Sequence, residues 1–206
     1  MSAPALATAR IEDWLERLAA PVPEPGGGAA AGVVIATGAA LAAMAAGYVP
    51  AGGSDVERHG VLAAATAARR EALAAAEHDG RMSAALVSAF RRPSDDPDRP
   101  AAILATTVRA AEASSALVDV AASLLPALAW LDEHGEPRLA PDVAVSARLL
   151  ACGIRASAVN IRCDTTSAVD AGAEGAVIDR LRASLSAAED AAAGLESLAE
   201  RVTATL

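Results

Sequence analysis

Apolar positions recur along this chain at intervals of three and four residues, the spacing of one helix face. In 7–20, Ile11, Trp14, Leu15 and Leu18 form such a stripe. Thr8 is placed to cap that helix, Glu12 and Asp13 fall in its first turn, and Pro21 ends it. A third helix is predicted over 55–91, capped by Ser54 or Asp55. It carries Val61, Leu62, Leu73, Met82, Leu86, Val87 and Phe90 between charged residues. A fourth, over 98–133, contains Pro126, which predicts a kink or a split. A fifth starts at Pro141 or Asp142 and ends near Cys163. The last, about 172–205, carries Val177, Leu181, Leu185, Leu195, Leu198 and Val202. Its alanine-rich middle is expected to meet the second helix or a second subunit. Proline and glycine mark surface loops at 49–54, 91–100 and 134–141.

The second helix, 29–48, breaks this pattern, because it holds no charged residue. At 100° per residue, Gly32, Ala36, Ala40, Ala43 and Gly47 make a stripe of small side chains. Val33, Val34, Leu41 and Met44 cover another side. A helix apolar all round belongs in the middle of a bundle. Before it, Pro21, Pro23 and Pro25 hold the backbone extended, and Gly26, Gly27 and Gly28 free it to turn. Two readings of that turn stand: a helix start that offers N–H groups to an anionic or carbonyl ligand, or a corner between two packed helices.

The fifth helix sorts its residues sharply. Asp142, Ser146, Leu149, Gly153, Ser157 and Asn160 share one narrow face, as either a close helix seam or a ligand wall. Arg148, Arg155 and Arg162 lie opposite, solvated or against a partner.

Composition narrows the class. Of 206 residues 53% are hydrophobic and only 2% aromatic, and alanine dominates. Alanine favours helix and disfavours strand, so the chain is expected to be all-α, one domain over 1–206. The net charge of −9 argues against nucleic acid and anionic membrane as partners. The stretch 29–48 is the one segment taken as long enough to span a bilayer, but its alanine and glycine drive insertion weakly. No signal peptide is visible, and a cytoplasmic location is expected. Cys152 and Cys163 are too far apart on one helix to bridge and are expected to be reduced packing residues. His59, His78 and His134 show no zinc spacing, so no metal is expected. No GxSxG, P-loop or HExxH motif occurs, and the triple glycine follows prolines rather than a strand. Among the carboxylates, Asp79 and Asp142 stand out for their small or apolar neighbours.

Three segments carry a resemblance. The opening RIEDWLERLAAPVPEPGGGAAAGVVIATGAALAAMAAG resembles that of the cyclodeaminase/cyclohydrolase family, where a short helix, P-x-P-T-P-G-G-G-S and a small-residue helix follow one another. HGEPRLAPDVAVSARLLACGIRASAVNIRCD resembles the family's Ser-Asp segment with its alanine-rich helix and asparagine. AEHDGRMSAALVSAFRRP is similar to the family's D-x-x-A-F segment. The likeness runs in order from about residue 10 to 165.

The resemblance implies an up-and-down bundle of about six helices that forms a homodimer and takes a tetrahydrofolate derivative as substrate, with no cofactor. The reaction it implies is hydrolysis of 5,10-methenyltetrahydrofolate to 10-formyltetrahydrofolate, or cyclisation of formiminotetrahydrofolate with loss of ammonia. Gly26, Gly27 and Gly28 match the triple glycine and would let backbone approach the ligand. Asp142 matches the Asp of the Ser-Asp pair and is the implied catalytic group. Asn160 matches the family asparagine, as a substrate-binding or a structural residue, and Asp79, singled out by its surroundings, is the other substrate-binding candidate. The chain departs from the pattern at Glu24 for threonine, Ala29 and Pro141 for serine, and Glu136 for asparagine. Arg58 is the nearest cation where the family has a basic stretch. These losses leave a second reading, a non-catalytic helical module that binds a ligand or partner through the same groove.

Overall fold

The computed structural model describes residues 6–50 and 55–206. Loop residues 51–53 and the expected cap Ser54 lie outside them. The described residues form a helical bundle with no strand. A 3-10 turn at Leu6–Thr8 precedes α1 (Ile11–Ala19), α2 (Gly27–Tyr48), α3 (Asp55–Phe90), α4 (Arg99–Ala122) and α5 (Leu125–His134). A second turn at Pro137–Leu139 leads into α6 (Ala140–Asp170) and α7 (Gly175–Thr203). The all-α expectation holds. Pro126 splits the fourth predicted helix, because it falls in the first turn of α5, where its missing N–H breaks no helix bond. The N-cap of α1 is Arg10 rather than Thr8, and its side chain makes no capping hydrogen bond.

The register of α2 follows from its small residues. A Cβ on Gly32 would lie 2.6 Å from the Ala76 Cβ of α3 and 3.1 Å from Leu117 of α4. On its other flank Gly38 meets Leu150, and the Ser146 hydroxyl donates to the Gly38 carbonyl at 2.8 Å. Gly153 of α6 faces the Ala31 carbonyl and Ile35 in turn. Both neighbours therefore run antiparallel to α2. The polar, small face of α6 is a close seam through Ser146 and Gly153, with the buried hydroxyl satisfied by backbone.

Alanine, not the larger residues, lines the inner face of α3. Ala65, Ala68, Ala72 and Ala76 are buried, whereas Phe90 is 49% exposed. The axes approach so closely at Gly32 and Ala76 that only methyl groups fit. The large side chains Leu117, Leu124, Leu128, Leu150, Ile154, Leu195 and Leu198 fill the core shared by α4 to α7. Fully burying one such side chain contributes about 2 kcal/mol.

Four expectations need correction. α2 is not buried all round: Met44 and Tyr48 are exposed, and Val33, Val34 and Leu41 are half-buried. α7 packs on α6 and α4 rather than on α2. Cys152 and Cys163 are exposed free thiols, not packing residues. Among the described residues three helical stretches, not one, are long and apolar enough to cross a membrane by length and composition: Gly27–Tyr48, Arg99–His134 and Pro137–Asp170.

The arginine face of α6 meets α7. Arg155 forms a two-pronged pair with Glu196 at 2.8 and 2.7 Å, and Arg162 pairs with Glu189 at 3.3 Å. α6 also continues past Cys163 to Asp170. The hydroxyls of Thr165, Thr166 and Ser167 each donate to the carbonyl four residues back, so these side chains are satisfied within the helix.

Candidate functional site

α2 begins part-way along the bundle. Its first turn stands level with Asp79 of α3, Ser114 of α4 and Asn160 of α6. From that level α3 runs on to Phe90 and α6 to Asp170, while α4 has already run from Arg99. The N-terminus of α2 thus opens among three helices that continue past it.

Gly26 occupies the N-cap of α2 and has no side chain with which to cap it. Asp79, on another helix, takes over. It is 5% exposed, and its carboxyl stands against the Ala29 N–H, in the third helical position. The Ser114 hydroxyl donates to its Oδ1 at 3.1 Å. A Cβ on Gly28 would overlap the Asp79 carboxylate, so the absent side chain is what lets the carboxylate reach the helix start. Burial pushes the Asp79 carboxyl above the usual aspartate range; the Ser114 hydrogen bond, the positive charge of His78 and the Ala29 N–H oppose this.

From the opposite flank, the Asn160 Oδ1 lies 3.9 Å from the position of a Cβ on Gly27. Gly27 itself is exposed, so the first turn opens to solvent. One turn further along α6, Asp164 is half-buried. Burial, with the charge of Asp79 adding to it, raises its carboxyl to about 6. Ser157, a turn before Asn160, is fully buried and its hydroxyl has no hydrogen-bond partner. Glu24 also reaches this end: its Oε2 is 3.6 Å from the position of a Cβ on Gly80. Arg17 holds the Glu24 carbonyl at 3.1 Å.

The structure therefore gathers Gly26, Gly27, Gly28, Asp79 and Asn160 at one place. It leaves Asp142 apart, in the first turn of α6. At 1.5 Å per residue, Asp142 and Asn160 are about 27 Å apart along the axis. A site built on both with one bound molecule needs a second chain. Sequence reasoning did not single out Ser114 or Asp164. For Asp164 a signal is present: it follows Asn160 by four residues, one helical turn, but it lies just beyond Cys163, near which the sequence predicts the helix to end. Among the described residues, no three His, Cys, Asp or Glu side chains gather as a metal-ligand set.

These features define a class: an all-helical bundle whose glycine-started second helix is met, at its N-terminus, by a buried aspartate and an asparagine from two other helices. The chain belongs to the formiminotransferase-cyclodeaminase family, whose model matches residues 10–183. It is similar in fold to a solved structure, the formiminotetrahydrofolate cyclodeaminase of Thermotoga maritima. The two share a TM-score of 0.81 at 22% identity, over 97% of this chain and 96% of that one. No curated protein matches the chain.

Proposed function

We propose that this protein transforms a one-carbon unit carried on tetrahydrofolate, at the cleft where α2 begins. The observation that supports this most is that the family match runs through the triple glycine, and that the same glycines admit a buried carboxylate to the helix start. The chemistry suits the substrate class. A pterin ring presents N–H donors that a carboxylate accepts, and a bridging methenyl or protonated formimino group is a cation that neighbouring carboxylates stabilise. Such a carbon is already electrophilic, so positioning and proton transfer suffice for addition to it. The reaction is either hydrolysis of 5,10-methenyltetrahydrofolate to 10-formyltetrahydrofolate or cyclisation of formiminotetrahydrofolate with release of ammonia.

In this reading the turn at Gly26 to Gly28, fixed from behind by the buried Asp79, holds the ligand from one side and Asn160 from the other. Asp142 takes part only where a second copy of the chain brings it to the cleft. A homodimer is part of the proposal. The apolar stripe of α1 is unburied, with Ile11 78% and Leu15 51% exposed, and the charge-free outer face of α2 is partly exposed too.

Titration calorimetry with 5-formyltetrahydrofolate tests the reading. Saturable binding to the wild type is expected, weakened at least about tenfold in Asp79→Asn, because the buried carboxylate fixes the glycine turn that meets the ligand. Absence of binding by any reduced folate would sink it. Glu24, Ala29, Pro141 and Glu136, where the family carries other polar groups, favour a second reading as a binding module. Tight folate binding without turnover by the wild type would select that one.

A further inference from the structure

We propose that Asp164 is the proton-transferring residue of this cleft, exchanging a proton with the nucleophile and the leaving nitrogen of the one-carbon centre. This rests on the folate reading above. Asp164 sits one turn beyond Asn160, about 40° round α6 and about 6 Å along it. It is only half-buried, so a bound molecule and solvent both reach it, whereas Asp79 is sealed and committed to Ser114 and to Ala29 of α2. The two carboxylates therefore divide the work: Asp79 anchors, and Asp164 is free to change its charge.

Among the described residues no cation acts on Asp164 to fix it as a carboxylate, and Arg81 of α3 is exposed. On α3 the group acting on it is Asp79, of like charge. His78 and Ser114 act on Asp79. Of the arginines nearby, Arg162 on α6 pairs with Glu189, and Arg180 on α7 pairs with Glu112 of α4. Arg109 of α4 donates to the Ala105 carbonyl, and Arg99 to the Phe90 carbonyl. The first turns of α2 carry no charge. With its carboxyl raised to about 6, Asp164 passes between acid and base near neutrality, as proton transfer requires.

In cyclisation, N10 bonds to the carbon of the protonated formimino group, the C=N π pair moves onto the terminal nitrogen as an NH2 group, and the N10 proton passes to the Asp164 carboxylate. Asp164 then returns that proton to the terminal nitrogen. The carbon–nitrogen bond breaks, its electron pair leaves with ammonia, and the methenyl cation remains. In hydrolysis the proton comes from the water that adds to the methenyl carbon, and Asp164 delivers it to N5. The N5–carbon bond breaks with its electron pair on N5, and the proton of the new formyl oxygen is released to solvent.

The test is the pH dependence of kcat for the wild type, Asp164→Asn and Asp164→Glu, with folate binding measured beside it. The wild type should lose rate on the acid side of about pH 6, where Asp164 becomes protonated. Asp164→Asn should lower kcat by roughly 10²–10⁴-fold, with KM little changed and the acid limb gone. Asp164→Glu should restore part of the rate and a shifted limb. Turnover by Asp164→Asn at the wild-type rate with the same acid limb overturns the role of Asp164 and leaves the folate reading intact. Folate turnover absent from the wild type overturns both.

Discussion

A methyl group at position 28 would stand where the Asp79 carboxylate stands, so Gly28→Ala must push α2 from α3 or eject the carboxylate from its hydrogen bonds. Overpacking and a lost buried hydrogen bond together should cost about 2–4 kcal/mol. Gly26, two residues earlier, has nothing within 4 Å of a Cβ, and Gly26→Ala should cost about 1 kcal/mol or less. Urea denaturation of the two variants makes the comparison, and equal midpoints would contradict it. Asp164 gives a pH-dependent prediction. Its carboxyl titrates at about 6 in the fold, against an ordinary value of 3.8. The fold thus holds this proton more tightly than the unfolded chain. The stability that the proton contributes is lost as pH rises from about 4 through about 6. Asp164→Asn should therefore be more stable than the wild type above pH 6, by roughly 1 kcal/mol given the group's partial exposure, and no more stable below about pH 4. A gain that is the same at both pH values would show that Asp164 is not the titrating group. At this scale Gly26 to Gly28, Asp79 and Asn160 were legible, because glycine runs and isolated polar residues on apolar faces mark themselves in the sequence. Ser114 was not, since nothing local distinguishes a serine that meets an aspartate on another helix.

Helix registry is set by small residues on two flanks of α2, and α6 shows it best. Gly153 of α6 accepts Ile35 where its own side chain would be. Gly153→Ala should cost about 1–3 kcal/mol by overpacking, and Ile35→Ala, which removes the Cγ1 that the added methyl would meet, should cost less beside Gly153→Ala than alone. Additive losses would place the strain elsewhere. Arg155, by contrast, is an exposed ion-pair partner on the outer face, and Arg155→Ala should leave the denaturation midpoint little changed. Helix existence was readable from the spacing of apolar residues, and the split at Pro126 from the chemistry of proline. The far end of α6 was not. Thr165, Thr166 and Ser167 look like a helix stop by propensity, and it is the packing of Ile161, Thr165 and Ala168, all buried, that carries the helix through them.

Across the whole molecule, the function depends on where α2 starts relative to the helices beside it. The sequence shows a glycine turn before an uncharged helix. It does not show that α3, α4 and α6 continue past the turn, since helix levels are set by packing between distant segments. The same holds for the surfaces. α1 has an apolar stripe that the sequence assigns to an interior, yet no residue of α1 is buried within one chain. If a second copy covers it, sedimentation equilibrium at micromolar concentration should return twice the mass of the chain, and Leu15→Glu with Ile11→Glu should return the single mass. A wild-type monomer at tens of micromolar would remove the dimer from the account. The central claim, that the α2 cleft processes a folate one-carbon unit, is tested most directly by the ultraviolet absorbance of 5,10-methenyltetrahydrofolate. The wild type should accelerate its loss to water, or its formation from formiminotetrahydrofolate, and Asp79→Asn should reduce that acceleration by at least about tenfold. Rates equal to buffer in both directions at high protein concentration would contradict it.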